Sequence, residues 1–189
     1  MKPKPLISIE THVEHSCAVS SQMAGLYLGV SRSHIDALLN KNRLMRVRVG
    51  NGARTFKLVD TESLRTYKAA RDGTKECQAL ITKKLIELAK KGATVTYTEA
   101  MGWCGLNPKR PLDRQKIGRL LGAVSGESFK QREVLLSVLV VAKTGKKMPN
   151  QTFFTLAKKL GAKSRETSNE EFFEQHKRKV FKTLKAGKT

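Results

Sequence analysis

The sequence predicts a helix-rich α+β fold built from three parts. Apolar residues recur at helical spacing on both sides of Gly29 and again in several later stretches. Between them, residues 46–49 alternate arginine with valine ahead of a Gly-Asn-Gly turn, which is typical of a β-hairpin. We predict a first domain over 1–72, a second small α+β module over 73–165, and a basic C-terminal helix and tail over 166–189.

The chain carries a large excess of positive charge. Its 189 residues include 37 Lys+Arg against 16 Asp+Glu, which gives a formal charge of +21 and a pI near 10.2. Such a balance favours a polyanionic partner, and the excess is spread over all three predicted parts. Double-stranded DNA is the expected partner and RNA the alternative. No membrane association is expected, because no apolar run is long enough to span a bilayer and no long basic amphipathic segment carries aromatic anchors.

Several classes of protein are not expected from the remaining composition. The sequence lacks the apolar region of a secretory signal. Cys17, Cys77 and Cys104 are odd in number and far apart, so neither a disulfide framework nor a zinc cluster is expected. His12 and His15 can join Cys17 on a metal ion, but no second ligand pair follows, so we predict no metal and no cofactor. A cytoplasmic, nucleoid-associated protein fits these features.

Residues 20–40 predict two helices joined by a tight turn. Ser20 and Ser31 stand where helix N-caps are expected, and Gly29 allows the left-handed backbone that the turn needs. The second helix has apolar residues on one face and polar residues on the other. The N-terminal residues of such a helix can reach base edges or phosphates in the major groove. Its candidate DNA-binding residues are Arg32, Ser33 and His34.

A basic hairpin and a further helix follow. Residues 43–57 contain no acidic residue, and the turn at 50–52 separates two stretches that each present one apolar and one cationic face. A hairpin of this kind can lie along the phosphate backbone or enter the minor groove. Its candidate DNA-binding residues are Arg43, Arg46, Arg48, Arg54 and Lys57. Asp60 then begins a helix that we expect to end at Asp72-Gly73.

Residues 20–71 resemble the winged helix-turn-helix domains of the excisionase and MerR types. The resemblance rests on Ala24, LGVSRSHI at 28–35, NRLMRVRVGNGARTFKLV at 42–59, and the helix start at Asp60. It implies a winged helix-turn-helix fold with DNA contacts from the second helix and from the hairpin, which is the wing. The residues that it carries over by position are Arg32, Ser33, His34, Arg48 and Arg54. No effector domain or long dimerisation coiled coil follows, so the sensor half of MerR-type regulators is not implied.

Residues 92–161 resemble the DNA-binding domain of alkylguanine-DNA alkyltransferases and their alkyltransferase-like relatives. The matching residues are VTYTEA at 95–100, Arg114 with Gly118 and Leu121, and Val140-Val141 followed by Gly145. The resemblance implies a second winged-helix module whose helix reads the minor groove, with Arg114 at the position of the arginine that fills the gap left by a flipped base. Lys116 and Arg119 on the same predicted helix are further candidate DNA-binding residues. The nucleophile motif of that family would fall at 136–139, inside an apolar stretch that we predict to be a strand over 133–143. No thiol or imidazole lies there, so no transfer chemistry is expected.

The function predicted from the sequence is non-enzymatic DNA binding. No phosphate-binding loop, zinc-deaminase signature or nucleophile elbow occurs. The chain would act as a transcriptional regulator or as an excisionase-like recombination accessory factor, for example of a phage or mobile element. Two alternatives stay open. One is an RNA-binding or ribonucleoprotein-associated factor, whose sheet would need exposed aromatic residues for stacking. The other is a nuclease or repair protein with an unrecognised site.

Overall fold

The structure is a computed structural model that describes residues 8–50, 56–145, 147–164 and 166–186. It is helix-rich with two small sheets, which agrees with the predicted α+β class. The chain forms two compact units, Met1–Gly73 and Thr74–Thr189. Within the described ranges, no helix combines the length and the apolar character that a bilayer-spanning segment requires.

The first unit combines short helices with an antiparallel sheet. Its elements in chain order are α1 (Ile9–His15), β1 (Ala18–Val19), α2 (Ser21–Leu28), α3 (Arg32–Asn40), β2 (Arg46–Val49), β3 (Phe56–Asp60) and the start of α4 (Thr61–Lys91). The strands lie in the order β1-β3-β2, so β3 is central and β2 is an edge strand. Val19 of β1 pairs with Val59 of β3, and both are buried in the core together with Ile35 and Leu64.

α4 runs without a break through Asp72 and Gly73, so the predicted helix end at this pair is wrong. A glycine inside a helix costs only about 1 kcal/mol relative to alanine. Leu64, on the N-terminal side of the pair, is buried in the core of the first unit, and Ile81, on the C-terminal side, is buried in the core of the second. Burial on both sides outweighs the local preference of Asp-Gly for a turn.

The second unit is mostly helical. After the end of α4 its elements are β4 (Val95–Thr96), α5 (Tyr97–Gly102), α6 (Pro111–Arg132), β5 (Val140–Val141), α7 (Gln151–Lys159) and α8 (Asn169–Ala186). β4 and β5 pair in parallel, with Val95 opposite Val140. The basic C-terminal helix α8 belongs to this unit, because Phe172 and Phe173 are buried in its core.

The stretch 133–143 is not the continuous strand that its composition predicts. Glu133 ends α6 in the left-handed conformation, with φ of 53°. Residues Leu136–Leu139 then form a 3-10 turn, and the strand within this stretch is limited to Val140–Val141. Residues 134–141 are buried, which explains why this part of the stretch is apolar at every position except Ser137.

Side chains of neighbouring helices replace the strand ladder that this stretch was predicted to make. His176 Nε2 on α8 accepts a hydrogen bond from Leu135 N at 2.8 Å. Ser125 Oγ on α6 accepts one from Ser137 N at 3.0 Å and donates to Ser137 Oγ at 2.5 Å. Buried amides need such partners, and here they come from residues distant in sequence. Ser137, at a position where the alkyltransferase resemblance would place its nucleophile motif, is therefore a buried and hydrogen-bonded residue.

Candidate nucleic-acid interface

The turn between α2 and α3 is determined by two serine caps and a glycine. Ser20 Oγ accepts a hydrogen bond from Met23 N at 3.2 Å, and Ser31 Oγ accepts one from His34 N at 3.3 Å. Gly29 ends α2 in the left-handed conformation, with φ of 64°. These contacts confirm the two helices, the caps and the turn predicted over residues 20–40.

The turn also requires glycine at position 25, and the sequence analysis did not predict this. A Cβ atom at this position would lie 2.8 Å from the carbonyl oxygen of Val30. The carbonyl of Gly25 also accepts a hydrogen bond from Val30 N at 2.9 Å. The chain that enters α3 therefore crosses directly over Gly25. A glycine inside an otherwise apolar helix is the signal in the sequence that points to such a close approach.

We expect Gly25→Ala to destabilise the protein by about 1–3 kcal/mol, because the added methyl group overlaps a backbone carbonyl. Gly118→Ala is the matched control. Gly118 lies inside α6 with open space around its Cβ position, so alanine there should stabilise the protein by about 0.5–1 kcal/mol. Urea unfolding followed by circular dichroism measures both. Equal stability of Gly25→Ala and the parent would show that the close approach imposes no constraint.

α3 presents its three predicted contact residues to solvent. Arg32, Ser33 and His34 are exposed in the first turn of the helix, whereas the next residue, Ile35, is fully buried. Ser33 Oγ is hydrogen-bonded to Ser31 Oγ at 2.9 Å, so its position is tied to the helix cap. The exposed start of α3 thus has the polar character that the sequence predicts.

The acidic side chain of α3, Asp36, is hydrogen-bonded to α2. Asp36 is half-buried, and its Oδ1 accepts a hydrogen bond from Ser21 Oγ at 3.1 Å. No aspartate or glutamate occurs between residues 37 and 59. Carboxylates therefore contribute little repulsion to a polyanion that approaches α3 and the hairpin.

The hairpin formed by β2 and β3 carries its cations on one face. Arg48 lies opposite Lys57 and Arg46 opposite Val59, and opposed residues of antiparallel strands share a face. Val59 is fully buried. The face of the hairpin that carries the cations is therefore the face that packs on the core, beside α3. Arg46 Nη2 donates to Oδ1 of Asn40, the last residue of α3, at 3.3 Å. The predicted alternation of apolar and cationic residues along the two strands is confirmed. A hydrogen bond joins the cationic face to α3.

The cations predicted to contact DNA from the first unit have no carboxylate partner in the part of the chain that the structure describes. This holds for Arg32, Arg43, Arg46, Arg48 and Lys57, all of which are exposed. Arg54, the remaining predicted residue of the hairpin, lies outside the described residues. We name Arg32, Ser33, His34, Arg46, Arg48 and Lys57 together the α3–hairpin surface.

Two of the three predicted contact residues of the second unit line one groove. Arg114 and Arg119 are exposed on α6 and line a groove of about 640 Å³ beside Tyr97 and Phe153. The guanidinium of Arg114 donates to the carbonyl oxygen of Pro108 at 2.9 Å, so it closes the loop that precedes its own helix. This bond gives Arg114 a local structural role.

Lys116 does not line this groove, and its charge acts on the Cys104 thiol. Burial raises the pKa of the Cys104 thiol to about 12, and the Cys77 thiol adds to this rise, whereas Lys116 opposes it. Cys104 is therefore protonated at neutral pH, which makes it a poor nucleophile. In the described ranges, no cluster of three or more His, Cys, Asp or Glu side chains could bind a metal ion.

Comparison with known proteins identifies no relative from which a function could be assigned, so a function must be argued from the residues of this chain. No family model, curated protein or solved structure matches the chain. The excisionase-type and alkyltransferase-type resemblances remain expectations from the sequence. The α3–hairpin surface is the feature from which a function can be argued, because it combines an exposed helix start with a joined, acid-free cationic face.

Proposed function

We propose that the chain binds double-stranded DNA through a winged helix-turn-helix in its first unit. In this proposal α3 is the recognition helix in the major groove and the β2–β3 hairpin is the wing beside it. The observation that supports the proposal most directly is the bond from Arg46 to Asn40, which joins the cationic hairpin face to the end of α3. A recognition helix and a wing that bind one duplex must be held in a defined arrangement, and this bond links the two elements.

The charges of the α3–hairpin surface suit a phosphate backbone. Arg46, Arg48 and Lys57 have no ion pair among the described residues that would have to break when DNA binds. Each phosphate that they neutralise releases a condensed counterion, so the logarithm of affinity falls by about 0.9 per contact for each tenfold rise in salt. Arginine adds geometry to this charge, because its planar guanidinium contacts phosphate through two parallel hydrogen bonds.

Base reading in this proposal comes from the start of α3. Arg32, Ser33 and His34 are exposed in its first turn, which is the part of a recognition helix that contacts base edges. Arg32 has the donors to bind the two acceptors of a guanine in the major groove. The chain would then act as a transcriptional regulator or a recombination accessory factor.

Titration of the full chain with duplex DNA, single-stranded DNA and RNA at low and raised salt tests the proposal. We expect the duplex to bind tightest, and selection from a random duplex library to enrich a defined sequence whose binding survives raised salt. Equal binding of all three nucleic acids, lost at raised salt and without an enriched sequence, would contradict sequence reading. A preference for RNA would favour the alternative partner.

Arg32→Ala is expected to weaken binding to the enriched sequence by about 1–3 kcal/mol and to change non-specific binding much less. The reason is that Arg32 reads a base in this proposal, whereas phosphate contacts contribute equally to every sequence. Fluorescence anisotropy with the enriched duplex and a scrambled duplex measures the two affinities. Equal losses on both duplexes would assign Arg32 to the phosphate backbone.

A further inference from the structure

The C-terminal end of α2 is held by two cations of α4. Arg71 Nη1 donates a hydrogen bond to the carbonyl oxygen of Leu28, the last residue of α2, at 2.8 Å. One turn earlier on α4, Lys68 Nζ lies 4.0 Å from the centre of the Tyr27 ring. Tyr27 and Leu28 directly precede Gly29, the residue that ends α2. The start of α4 therefore contacts the chain at the entry to the turn between α2 and α3.

The Arg71 contact adds to the hydrogen bonds at the end of α2. The last carbonyls of a helix have no partner inside the helix. Those of Gly25 and Leu26 accept hydrogen bonds from backbone amides of the turn, at 2.9 and 3.2 Å. The carbonyl of Leu28 accepts its bond from the Arg71 side chain instead. A cation is favoured at this place, because the C-terminus of a helix carries a partial negative charge.

The start of α4 is a fixed support for this contact. Leu64 lies on the same face of α4 as Lys68 and Arg71, at helical positions i, i+4 and i+7, and is fully buried in the core of the first unit. The side chain of Arg71 is 27% exposed, so its bond to α2 is partly shielded from water. Its Nε also lies 3.5 Å from Oδ1 of Asp72, which orients the guanidinium. Arg71 therefore links the end of α2 to a helix that the core holds in place.

We propose that Arg71 is a positioning residue for DNA reading, which fixes the turn that directs α3 and so sets how well the chain distinguishes one duplex sequence from another. This inference rests on the proposed function. α3 begins at Arg32, three residues after Gly29, so a change in direction at the end of α2 moves the first turn of α3. Base reading needs side chains held within about 0.5 Å of their productive positions. Phosphate contacts depend on charge and tolerate more freedom.

Two other roles of Arg71 predict different effects on DNA binding. A direct phosphate contact would strengthen binding to every duplex alike. It is disfavoured because the guanidinium already bonds to the Leu28 carbonyl and to Asp72, whereas the cations of the α3–hairpin surface are exposed and have no carboxylate partner among the described residues. A contact that only stabilises the fold would change the free energy of unfolding and leave the ratio of the affinities for two duplexes unchanged.

Arg71→Ala in the full chain tests the proposal. We expect it to lower the affinity for the enriched duplex by about threefold to tenfold, because the turn loses the bond that orders it before DNA binds. The affinity for a scrambled duplex should change by less than about twofold, through the lost charge alone. Fluorescence anisotropy measures both affinities, and circular dichroism checks that the variant keeps the parent fold. Arg71→Lys keeps the charge and a donor, so it should restore part of the ratio.

Arg65→Ala is the matched control for this substitution. Arg65 also lies on α4 in the first unit, where it pairs with Glu62 at 3.0 Å and donates to the carbonyl oxygen of Glu14 at 3.4 Å. The substitution removes the same charge and a bond to a backbone carbonyl, but the bond ends near α1 and not at the turn. It should leave the ratio of the two affinities at the parent value.

Hydrogen exchange of the Val30 amide, which bonds across the turn to Gly25, adds a readout without DNA. This amide should exchange about threefold or more faster in Arg71→Ala, and at the parent rate in Arg65→Ala. An equal loss of affinity for both duplexes would assign Arg71 to a phosphate, and faster exchange with an unchanged ratio would assign it to stability alone. Either result overturns the inference and leaves the proposed function standing. A parent chain that enriches no duplex sequence contradicts the proposed function and the inference together.

Discussion

Replacing Arg48 and Lys57 together with alanine is expected to lower the affinity for duplex DNA by about 10- to 100-fold at moderate salt. The two side chains lie opposite each other on the cationic face of the hairpin, and both are exposed. The loss of two phosphate contacts should also reduce the salt slope by about 2, because each contact contributes about 0.9. Every duplex sequence should be affected alike, since phosphates carry no sequence information. Anisotropy titrations over a range of salt measure both quantities.

Lys83→Ala with Lys84→Ala is the matched control for this double substitution. It removes the same charge from exposed positions of α4 that lie outside the α3–hairpin surface. We expect it to change the affinity by less than about threefold, through the long-range field alone. If both double variants lose the same affinity, net charge drives binding and the hairpin is not a wing. If neither changes it, the DNA contacts lie elsewhere.

The local features of the first unit could be predicted because each depends on neighbouring residues. A serine cap needs an amide only three residues further along the chain, as at Ser20 and Ser31. The left-handed turn at Gly29 needs one residue without a Cβ atom. The alternation of arginine and valine along β2 also depends only on neighbouring residues, and it gives the hairpin two different faces. The exposed residues of α3 followed from this kind of reasoning.

The orientation of the hairpin could not be predicted, because alternation does not show which face meets the core. That choice depends on the pairing of β3 with β1, where Val59 meets Val19. This pairing leaves Phe56 64% exposed, although its hydrophobicity alone would place it in the core. The exposure of Phe56 is therefore a feature of the tertiary structure. The same reason applies to α4, whose continuity through Gly73 depends on two separate cores.

The second unit shows a case in which sequence reasoning could have gone further. Arg114 and Lys116 are two residues apart, which places them about 200° apart around a helix. Helical geometry alone therefore predicts that they do not share one side of α6, and Arg114 lines the groove whereas Lys116 does not. The bond from Arg114 to the carbonyl of Pro108 depends on the loop conformation and had no signal in the sequence.

Lowering the pH from neutral to about 4 is expected to remove about 2–3 kcal/mol of unfolding free energy through His176. Burial, with a smaller effect of Lys179, lowers the pKa of His176 from 6.5 to about 4. The neutral ring accepts the hydrogen bond from Leu135 N and stacks on Phe172 at a centroid distance of 5.1 Å. The unfolded chain takes up this proton at higher pH than the folded chain. The contribution is therefore complete above pH 6.5 and is lost as the pH falls to about 4.

His176→Gln isolates this contribution, because glutamine offers an oxygen acceptor to Leu135 N and does not titrate. Carboxylates titrate in both proteins, so the difference between their urea-unfolding free energies at pH values from about 7 to 4 reports His176 alone. The difference in unfolding free energy between the parent and His176→Gln should narrow as the pH falls. Lys179→Met should raise the pKa of His176 and reduce the loss in the parent. Parallel stability curves would contradict a buried neutral histidine. A narrowing difference would support the view that bonds from side chain to backbone stabilise residues 135–139 in place of a strand ladder.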